Sequence, residues 1–158
     1  KVLAVAPFIE EVANLYPPQS GMALELDIPS TLPGIQADPV KLRQVLHNLI
    51  KNAQEAIPDG ESGKMVISAR TVEDSQQAFV EISLRDNGPG IPSEQAARIF
   101  EPYVTNKPKG TGLGLAIVKR IIEEHGGAIR LDASKEKKGA CFIIRLPVAN
   151  IIKVKTES

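Results

Sequence analysis

Two segments of this chain carry residue types that bind an anionic ligand, and they lie about 20 residues apart. The first runs from Asp86 to Gly90 (DNGPG) and follows an alternating, strand-like run. A carboxylate accepts hydrogen bonds but cannot donate them, so Asp86 on this turn suits an exocyclic amine such as N6 of adenine. The second runs from Gly110 to Leu115 (GTGLGL) and opens a helix-like run. Its glycines let backbone N–H groups approach an anion at a helix N-terminus, which predicts a phosphate site.

A polar segment, residues 101–110, joins these two segments. It contains two prolines and two lysines, and this composition is typical of a loop that orders over a triphosphate. Lys107 and Lys109 are the candidates for contact with phosphate. The alternative interpretation is that both are solvated surface lysines.

Upstream, a helix is predicted from Pro39 to about Ile57, with Asp38 as its N-cap and Pro39 at the first helical position. Asn48 and Asn52 are four residues apart, so they project from one face of this helix. Asparagine is unfavourable inside a helix because its side chain competes with the backbone for hydrogen bonds. The two residues are therefore either solvated or bind a hard cation, such as nucleotide-bound Mg²⁺, through their side-chain oxygens.

These elements belong to an alternation of strands and helices. Helical spacing predicts a helix over residues 1–15 with Val5, Phe8, Ile9, Val12 and Leu15 on its apolar face. Alternation predicts strands over residues 22–28, 65–71, 79–85, 128–133 and 140–146, with residues 73–78 connecting a hairpin. Further helices are predicted over residues 93–100, with Ser93 as N-cap, and over 113–125, ended by Gly126 and Gly127. His125 is expected to face its own helix end or solvent.

Three motifs in this order resemble the nucleotide-binding boxes of sensor histidine kinases. DNGPGIP and IFEPYVTNKPKGTGLGLAIV resemble the glycine and phenylalanine boxes, and LRQVLHNLIKNAQEAI resembles the asparagine box. The resemblance covers nearly the whole chain and points to the ATP-binding catalytic domain of that family, whose superfamily includes the ATPase domains of gyrase, Hsp90 and MutL. The sequence of the asparagine box is similar to that of nitrogen-regulation sensor kinases.

The resemblance implies an α+β fold of the Bergerat type: a two-layer α/β sandwich with a mixed, mostly antiparallel sheet, three helices on one face and a flexible ATP lid. It implies a single catalytic domain over residues 1–158, with residues 1–16 as a helical link from a dimerisation domain and residues 147–158 as a tail. It also implies ATP and Mg²⁺ as ligands, with Asn52 as the magnesium ligand and with Asn48 and Lys107 at the phosphoryl group. Phe100 corresponds to the residue that anchors the lid, although from the sequence alone it could equally be part of the core. The other implied contacts are Asp86, Gly88, Gly90, Ile91, Thr105, Lys109, Gly110, Thr111, Gly112, Leu113, Gly114 and Leu115.

Two positions bear on the reaction. ATP-hydrolysing relatives carry a glutamate base where this chain has Asn48, and an amide cannot take a proton at neutral pH. We therefore expect phosphoryl transfer to a protein in preference to hydrolysis. Glu55 and Ala56 occupy positions where many of these kinases have a cation and a tyrosine, which leaves open a nucleotide-binding module that regulates a partner without phosphorylating it. A serine kinase of the anti-sigma type is a further alternative.

The acceptor histidine of such a kinase is followed by an acidic residue and then a basic residue or proline, and neither His47 nor His125 is. The acceptor is therefore expected on a dimerisation domain outside this chain, in a homodimeric parent with a response regulator as partner. Lysine plus arginine and aspartate plus glutamate both number 19, and this balance argues against general attraction to nucleic acid. The single Cys141 indicates a reducing compartment, so we expect a cytoplasmic domain, whose parent can be membrane-anchored.

Overall fold

The structure, a computed structural model, describes residues 2–17, 21–57, 61–102, 114–132 and 139–149. Within these ranges the chain forms seven strands and four helices. The strands are β1 (Val2–Leu3), β2 (Met22–Asp27), β3 (Ile35–Gln36), β4 (Gly63–Asp74), β5 (Gln77–Asp86), β6 (Ala128–Leu131) and β7 (Cys141–Pro147). The helices are α1 (Val5–Ala13), α2 (Pro39–Ala56), α3 (Ser93–Ala96) and α4 (Gly114–Glu124).

Five strands form one mixed sheet in the order β2-β4-β5-β7-β6. β2 pairs in parallel with β4, and the other neighbours in this sheet are antiparallel. Because β5 is the middle strand, its last residue, Asp86, is flanked by a strand on each side. The predicted α+β fold with a mixed, mostly antiparallel sheet is confirmed. A two-stranded sheet of β1 and β3 was not predicted, because strands of two residues carry no alternation pattern.

A single hydrophobic core lies between the helices and one face of the sheet. Every second side chain of β4 and β5 points into it, as the period of a strand requires. Burial of each large apolar side chain stabilises the fold by roughly 1.5–3 kcal/mol, so this layer dominates the stability. Fully buried members include Met65, Ile67, Ile82 and Leu84 from the sheet, Leu42, Leu46, Leu49 and Ile50 from α2, and Ile122 from α4.

Helix α2 begins where the sequence predicts. Asp38 Oδ1 accepts hydrogen bonds from the backbone N–H groups of Val40 at 2.9 Å and Lys41 at 3.4 Å. Pro39 occupies the first turn, where its missing N–H costs no hydrogen bond. The helix ends at Ala56, one residue earlier than predicted.

Helix α1 and the residues after it are attached to α2 by polar contacts. Arg43 Nη2 donates to Glu11 Oε1 at 2.9 Å, and the Arg43 guanidinium lies 5.6 Å from the centre of the Phe8 ring. The Tyr16 hydroxyl hydrogen-bonds His47 Nδ1. Burial, and then the charge of Arg43, lower the pKa of His47, so this imidazole is neutral at pH 7.

The hairpin between β4 and β5 is tighter than predicted. The expected connection over residues 73–78 is wrong, because the strands continue to Asp74 and resume at Gln77. Ser75 and Gln76 alone form the turn, with φ of 52° and 67°. Two-residue hairpin turns with left-handed backbone usually contain asparagine or glycine, so this sequence carries no clear signal of the turn.

Three further expectations are corrected. The helix predicted over residues 93–100 is confirmed only over Ser93–Ala96, and its N-cap is Pro92, whose carbonyl accepts from Gln95 N–H, so Ser93 is the first helical residue. Leu15 is 58% exposed, because α1 already ends at Ala13.

The predicted tail from Pro147 begins later than expected. Pro147 completes β7, the Val148 N–H donates to the Ala78 carbonyl at 3.0 Å, and the Ala149 N–H donates to the Gly34 carbonyl at 2.8 Å. Residues 150–158 lie outside the described residues. No helix among the described residues is long and apolar enough to cross a membrane.

His125 joins the C-terminus of α4 to the N-terminus of α2. Its Nδ1 lies 2.8 Å from the Ile121 carbonyl oxygen, and its Nε2 accepts the Asp38 N–H at 3.1 Å. Only a neutral imidazole protonated on Nδ1 satisfies both contacts. The expected position of His125 against its own helix end is confirmed by the contact with Ile121. The contact with Asp38 was not predicted, because it depends on the packing of α2 beside α4.

The sheet face away from the helices carries a charged network. Glu81, 3% exposed, accepts from Arg70 on β4 at 3.0 Å and from Arg145 on β7 at 3.2 Å. Arg145 also donates to Asp74 and lies 5.4 Å from the centre of the Phe79 ring. Burial alone raises the pKa of Glu81, but the hydrogen bonds and charges of the two arginines outweigh it and lower the pKa. This carboxylate therefore connects the three central strands.

We expect Glu81→Gln to lower the free energy of unfolding at pH 7. Because the folded pKa of Glu81 lies below the unfolded value, its contribution is complete above the unfolded pKa and is lost as the pH falls through the folded pKa. Urea titrations between pH 7 and pH 3 should show the gap between wild type and variant closing towards acid. Glu25→Gln is the control, since its ion pair with Lys64 is exposed and worth little. A gap independent of pH would contradict the network's role.

We also expect His125→Ala to destabilise the domain by about 1 kcal/mol, the usual net value of a hydrogen bond. The variant removes the acceptor of the Asp38 N–H and so loosens the first turn of α2. Chemical denaturation would measure the loss, with Glu124→Ala, at the exposed last residue of α4, as control. Equal stability of the two variants would show that the bridge contributes nothing.

Candidate functional site

Asp86 lies at the end of the central strand and is 6% exposed. Its Oδ1 accepts two backbone N–H groups, from Gly88 at 2.9 Å and from Ala140 at 3.2 Å. Both hydrogen bonds described for this carboxylate end on Oδ1, which leaves the lone pairs of Oδ2 for a donor from a ligand. A buried carboxylate with one oxygen fixed is suited to recognise an amine in one orientation.

The turn after Asp86, residues 86–90, is held at its start and shaped by glycines. The Asn87 N–H donates to the Lys64 carbonyl at 3.0 Å, and Asn87 Oδ1 accepts the Lys64 N–H at 2.8 Å. Gly90 has φ of +87°, a conformation that favours glycine. A Cβ on Gly88 would lie 3.2 Å from Asp86 Oδ1, closer than ordinary van der Waals contact. Of the predicted site residues, Gly88 thus borders Asp86, and Gly90 ends the same turn.

Asn48 and Asn52 lie on the face of α2 that is directed towards the turn over residues 86–90. A Cβ on Gly88 would be 3.8 Å from Ala56 Cβ, so Ala56 packs against the turn. Ala56 follows Asn52 by four residues and Asn48 by eight, which places all three on one helix face. Both asparagines are half-buried. The structure therefore brings Asn48 and Asn52 to the same side of the domain as Asp86.

Helix α4 packs against α2, and its first residues belong to the predicted site. Leu115 is buried in the core, and a Cβ on Gly114 would meet nothing within 4 Å, so the backbone at Gly114 is open. The remaining predicted contacts lie outside the described residues. They are Thr105, Lys107, Lys109, Gly110, Thr111, Gly112 and Leu113.

Phe100 and Ile91 are half-buried and pack against the core. The Phe100 ring meets the Phe142 ring edge-on, with centroids 5.9 Å apart and an interplanar angle of 72°. Such an aromatic pair contributes about 0.5–1.5 kcal/mol beyond its area burial. Phe100 thus packs against the core, and it stands directly before the segment predicted to be the lid.

Gly139 and Ala140 border Asp86, and the sequence did not predict this. In the structure Gly139 has φ of +95°, and a Cβ on it would lie 1.9 Å from the Asp86 carbonyl oxygen. The one signal in the sequence is a glycine at the end of a polar run, which by itself indicates no more than a turn.

A magnesium ion fits the donors on α2. Magnesium prefers oxygen ligands and usually keeps waters and substrate phosphates in its shell, so one side-chain oxygen can be enough. Asn52 supplies an amide oxygen on the face described above. The described residues contain no group of three or more histidine, cysteine, aspartate or glutamate side chains that could hold a metal alone, so phosphate oxygens would have to complete the shell.

Comparison with known proteins identifies the family. Residues 37–150 match the family model described as histidine kinase-, DNA gyrase B- and HSP90-like ATPase. The chain is 52% identical over 118 residues to sensor histidine kinase ZraS of Escherichia coli K12 and 39% identical over 138 residues to sporulation kinase E of Bacillus subtilis. These alignments cover 75% and 87% of this chain but only 24% and 18% of the relatives, so the chain spans about a quarter or less of their length.

Solved structures give the same result. The catalytic domain of histidine kinase ThkA superposes with a TM-score of 0.79 at 33% identity, covering 94% of this chain and 95% of that one. Full-length ShkA in complex with AMPPNP has a TM-score of 0.77 at 33% identity, covering 94% of this chain and 31% of that one. ThkA in complex with response regulator TrrA has a TM-score of 0.74 at 31% identity, covering 94% and 42%.

The fold, the fixed carboxylate beside the asparagine face of α2 and the family match agree. The chain belongs to the family of histidine kinase-, DNA gyrase B- and HSP90-like ATPases, and within it to the ATP-binding catalytic domains of histidine kinases.

Proposed function

We propose that this domain binds ATP with Mg²⁺ between the Asp86 turn and the asparagine face of α2, and transfers the γ-phosphoryl group to a histidine outside this chain. One observation carries the proposal: Asp86 is buried with Oδ1 held by two backbone N–H groups, while the described contacts leave Oδ2 for a ligand. Oδ2 then accepts the N6 amine of adenine. A base that presents a carbonyl oxygen there would be repelled by the carboxylate.

Adenine at Asp86 directs the phosphates along α2 towards the start of α4. Asn52 and Asn48 lie on that path, four residues apart. In the proposal Asn52 is the magnesium ligand, and Lys107, Lys109 and the backbone of residues 110–115 contact the phosphates. Bound magnesium supplies neutralisation of phosphate charge.

The proposed reaction breaks the bond between the γ-phosphorus and the β–γ bridging oxygen of ATP, which leaves on ADP. It forms a bond from that phosphorus to the unprotonated nitrogen of a neutral imidazole, and the other ring nitrogen releases its proton to solvent. Asn48 cannot act as a base, so the chain's contribution is positioning and charge neutralisation. The two histidines of this chain support an external acceptor. His47 is bonded to Tyr16, and His125 uses both ring nitrogens between α2 and α4.

The acceptor histidine, the homodimeric parent and the response regulator are further parts of the proposal. The helical link over residues 1–16 would lead from the dimerisation domain, although β1 occupies its first residues. One similar kinase, ThkA, is known in complex with response regulator TrrA, and a partner of that class is proposed here as well. The nitrogen-regulation type stays a prediction from motif wording, since the relatives named above are ZraS and a sporulation kinase.

We expect Asp86→Asn to weaken ADP binding by about 1.5–3 kcal/mol, roughly tenfold to 150-fold, the range for a hydrogen bond to a charged group. The amide oxygen can still accept from Gly88 and Ala140, so the turn survives. The amide N–H₂ then faces the adenine amine, and two donors meet. Calorimetric titration of ADP and a non-hydrolysable ATP analogue, with and without Mg²⁺, would measure the change.

Glu81→Gln is the matched control, because Glu81 is a buried carboxylate of the same strand that points to the opposite face. It should leave nucleotide affinity unchanged. Equal losses in both variants would mean that the effect comes from stability. No binding of millimolar nucleotide by folded wild type would refute the ATP site.

We expect Asn52→Ala to remove most of the strengthening of ATP-analogue binding by Mg²⁺, while binding without the metal changes little. The reason is that only the metal-bound complex uses the amide oxygen. Titrations with and without Mg²⁺ would give this ratio, and the exposed Gln44→Ala in α2 is the control. An unchanged ratio would remove Asn52 from the metal site.

Phosphotransfer itself needs the acceptor domain of the parent protein, supplied in trans with labelled ATP. Acid-labile, base-stable label on that domain would support the kinase. Nucleotide binding without any label on the acceptor would instead favour a module that regulates its partner.

A further inference from the structure

Gly139 and Ala140, the two residues just before β7, lie directly against Asp86, more than 50 residues away in sequence. The Asp86 N–H donates to the Ala140 carbonyl at 2.9 Å, and the Ala140 N–H donates to Asp86 Oδ1 at 3.2 Å. Gly139 approaches still closer. A Cβ built on it would lie 1.9 Å from the Asp86 carbonyl oxygen and 3.1 Å from Oδ1.

The same residue reaches the other end of the turn. A Cβ on Gly90 would be 3.3 Å from the Gly139 carbonyl oxygen. Gly139 thus lies between Asp86 and Gly90, the first and last residues of the turn. Its φ of +95° is a second reason for glycine at this position, because side chains rarely adopt this conformation.

We propose that Gly139 and Ala140 are positioning residues that set the base specificity of the nucleotide site by holding the Asp86 carboxylate in one rotamer. The proposal rests on the proposed function, and it adds a second segment to the adenine site. With Oδ1 tied to Ala140 and Gly88, Oδ2 presents a lone pair in a fixed direction.

The orientation of the Asp86 carboxylate affects base selectivity because both adenine and guanine carry hydrogen-bond donors. Adenine offers its N6 amine to an acceptor, whereas guanine has a carbonyl oxygen at that position but offers N1–H and its N2 amine at the adjacent edge. A fixed carboxylate meets adenine's amine and guanine's carbonyl oxygen. A carboxylate free to rotate can pair with guanine's donors instead. Loss of the Gly139 contact should therefore lower both the affinity for adenine and the preference for it.

The structure offers a matched pair of glycines for the test. Gly21 has φ of +88°, nearly that of Gly139, but a Cβ on it would meet nothing within 4 Å. Gly139→Ala and Gly21→Ala therefore carry the same backbone strain, and only the first displaces Asp86. ADP and GDP affinities of both variants and wild type would be measured by calorimetry, after circular dichroism has established that each is folded.

We expect Gly139→Ala to bind ADP at least about tenfold more weakly than wild type, the equivalent of one lost hydrogen bond to a charged group, and to show a smaller ratio of ADP to GDP affinity. Gly21→Ala should stay within about twofold of wild type, since surface changes away from the site cost little. A role in stability alone would lower both nucleotide affinities together and leave the ratio unchanged.

A second variant keeps the test decisive if Gly139→Ala does not fold. Ala140→Pro places a ring carbon where the N–H that bonds Asp86 Oδ1 stood, so it removes that hydrogen bond and displaces the carboxylate, at a position just before β7 where proline is tolerated. It should also lower the ratio of ADP to GDP affinity. Wild-type selectivity in the folded variants would overturn this proposal while leaving the nucleotide site in place. Failure of wild type itself to bind ADP would overturn the proposed function instead.

Discussion

The site depends on one carboxylate oxygen held by backbone N–H groups from two distant parts of the chain. Asp86 Oδ1 accepts one hydrogen bond from the backbone N–H of Gly88, in its own turn. It accepts a second from the backbone N–H of Ala140, the residue before β7. A buried carboxylate without such partners would be costly, since desolvation disfavours its charge. The pairing of β5 with β7 therefore fixes both the position of the charge and the oxygen left for a ligand.

Helix α2 connects this carboxylate to the rest of the domain. Its C-terminal end packs at the Asp86 turn through Ala56, and its N-terminal end is tied to α4 by His125. Its middle carries the asparagine face on one side and contacts to α1 on another, where Arg43 meets Glu11.

The opposite face of the sheet is stabilised differently. It has no helix layer among the described elements, and Glu81 with its two arginines connects β4, β5 and β7 there. The guanidinium of Arg145 also lies over the Phe79 ring. Because the network lies on the face away from Asp86, changes in it test stability without touching the nucleotide site.

The sequence by itself determined the features that depend on local patterns. The start of α2 at Asp38 and Pro39, its two asparagines and the turn after Asp86 all follow from residue type and spacing, because caps and turns form between near neighbours. Only the tertiary structure decided that Gly139 borders Asp86 and that His125 reaches Asp38. These contacts join residues 53 and 87 positions apart, and strand register and helix packing set them, so no local pattern encodes them. The two-residue turn at Ser75 and Gln76 escaped prediction for a related reason, since the strand pairing imposes a backbone that these residues do not favour alone.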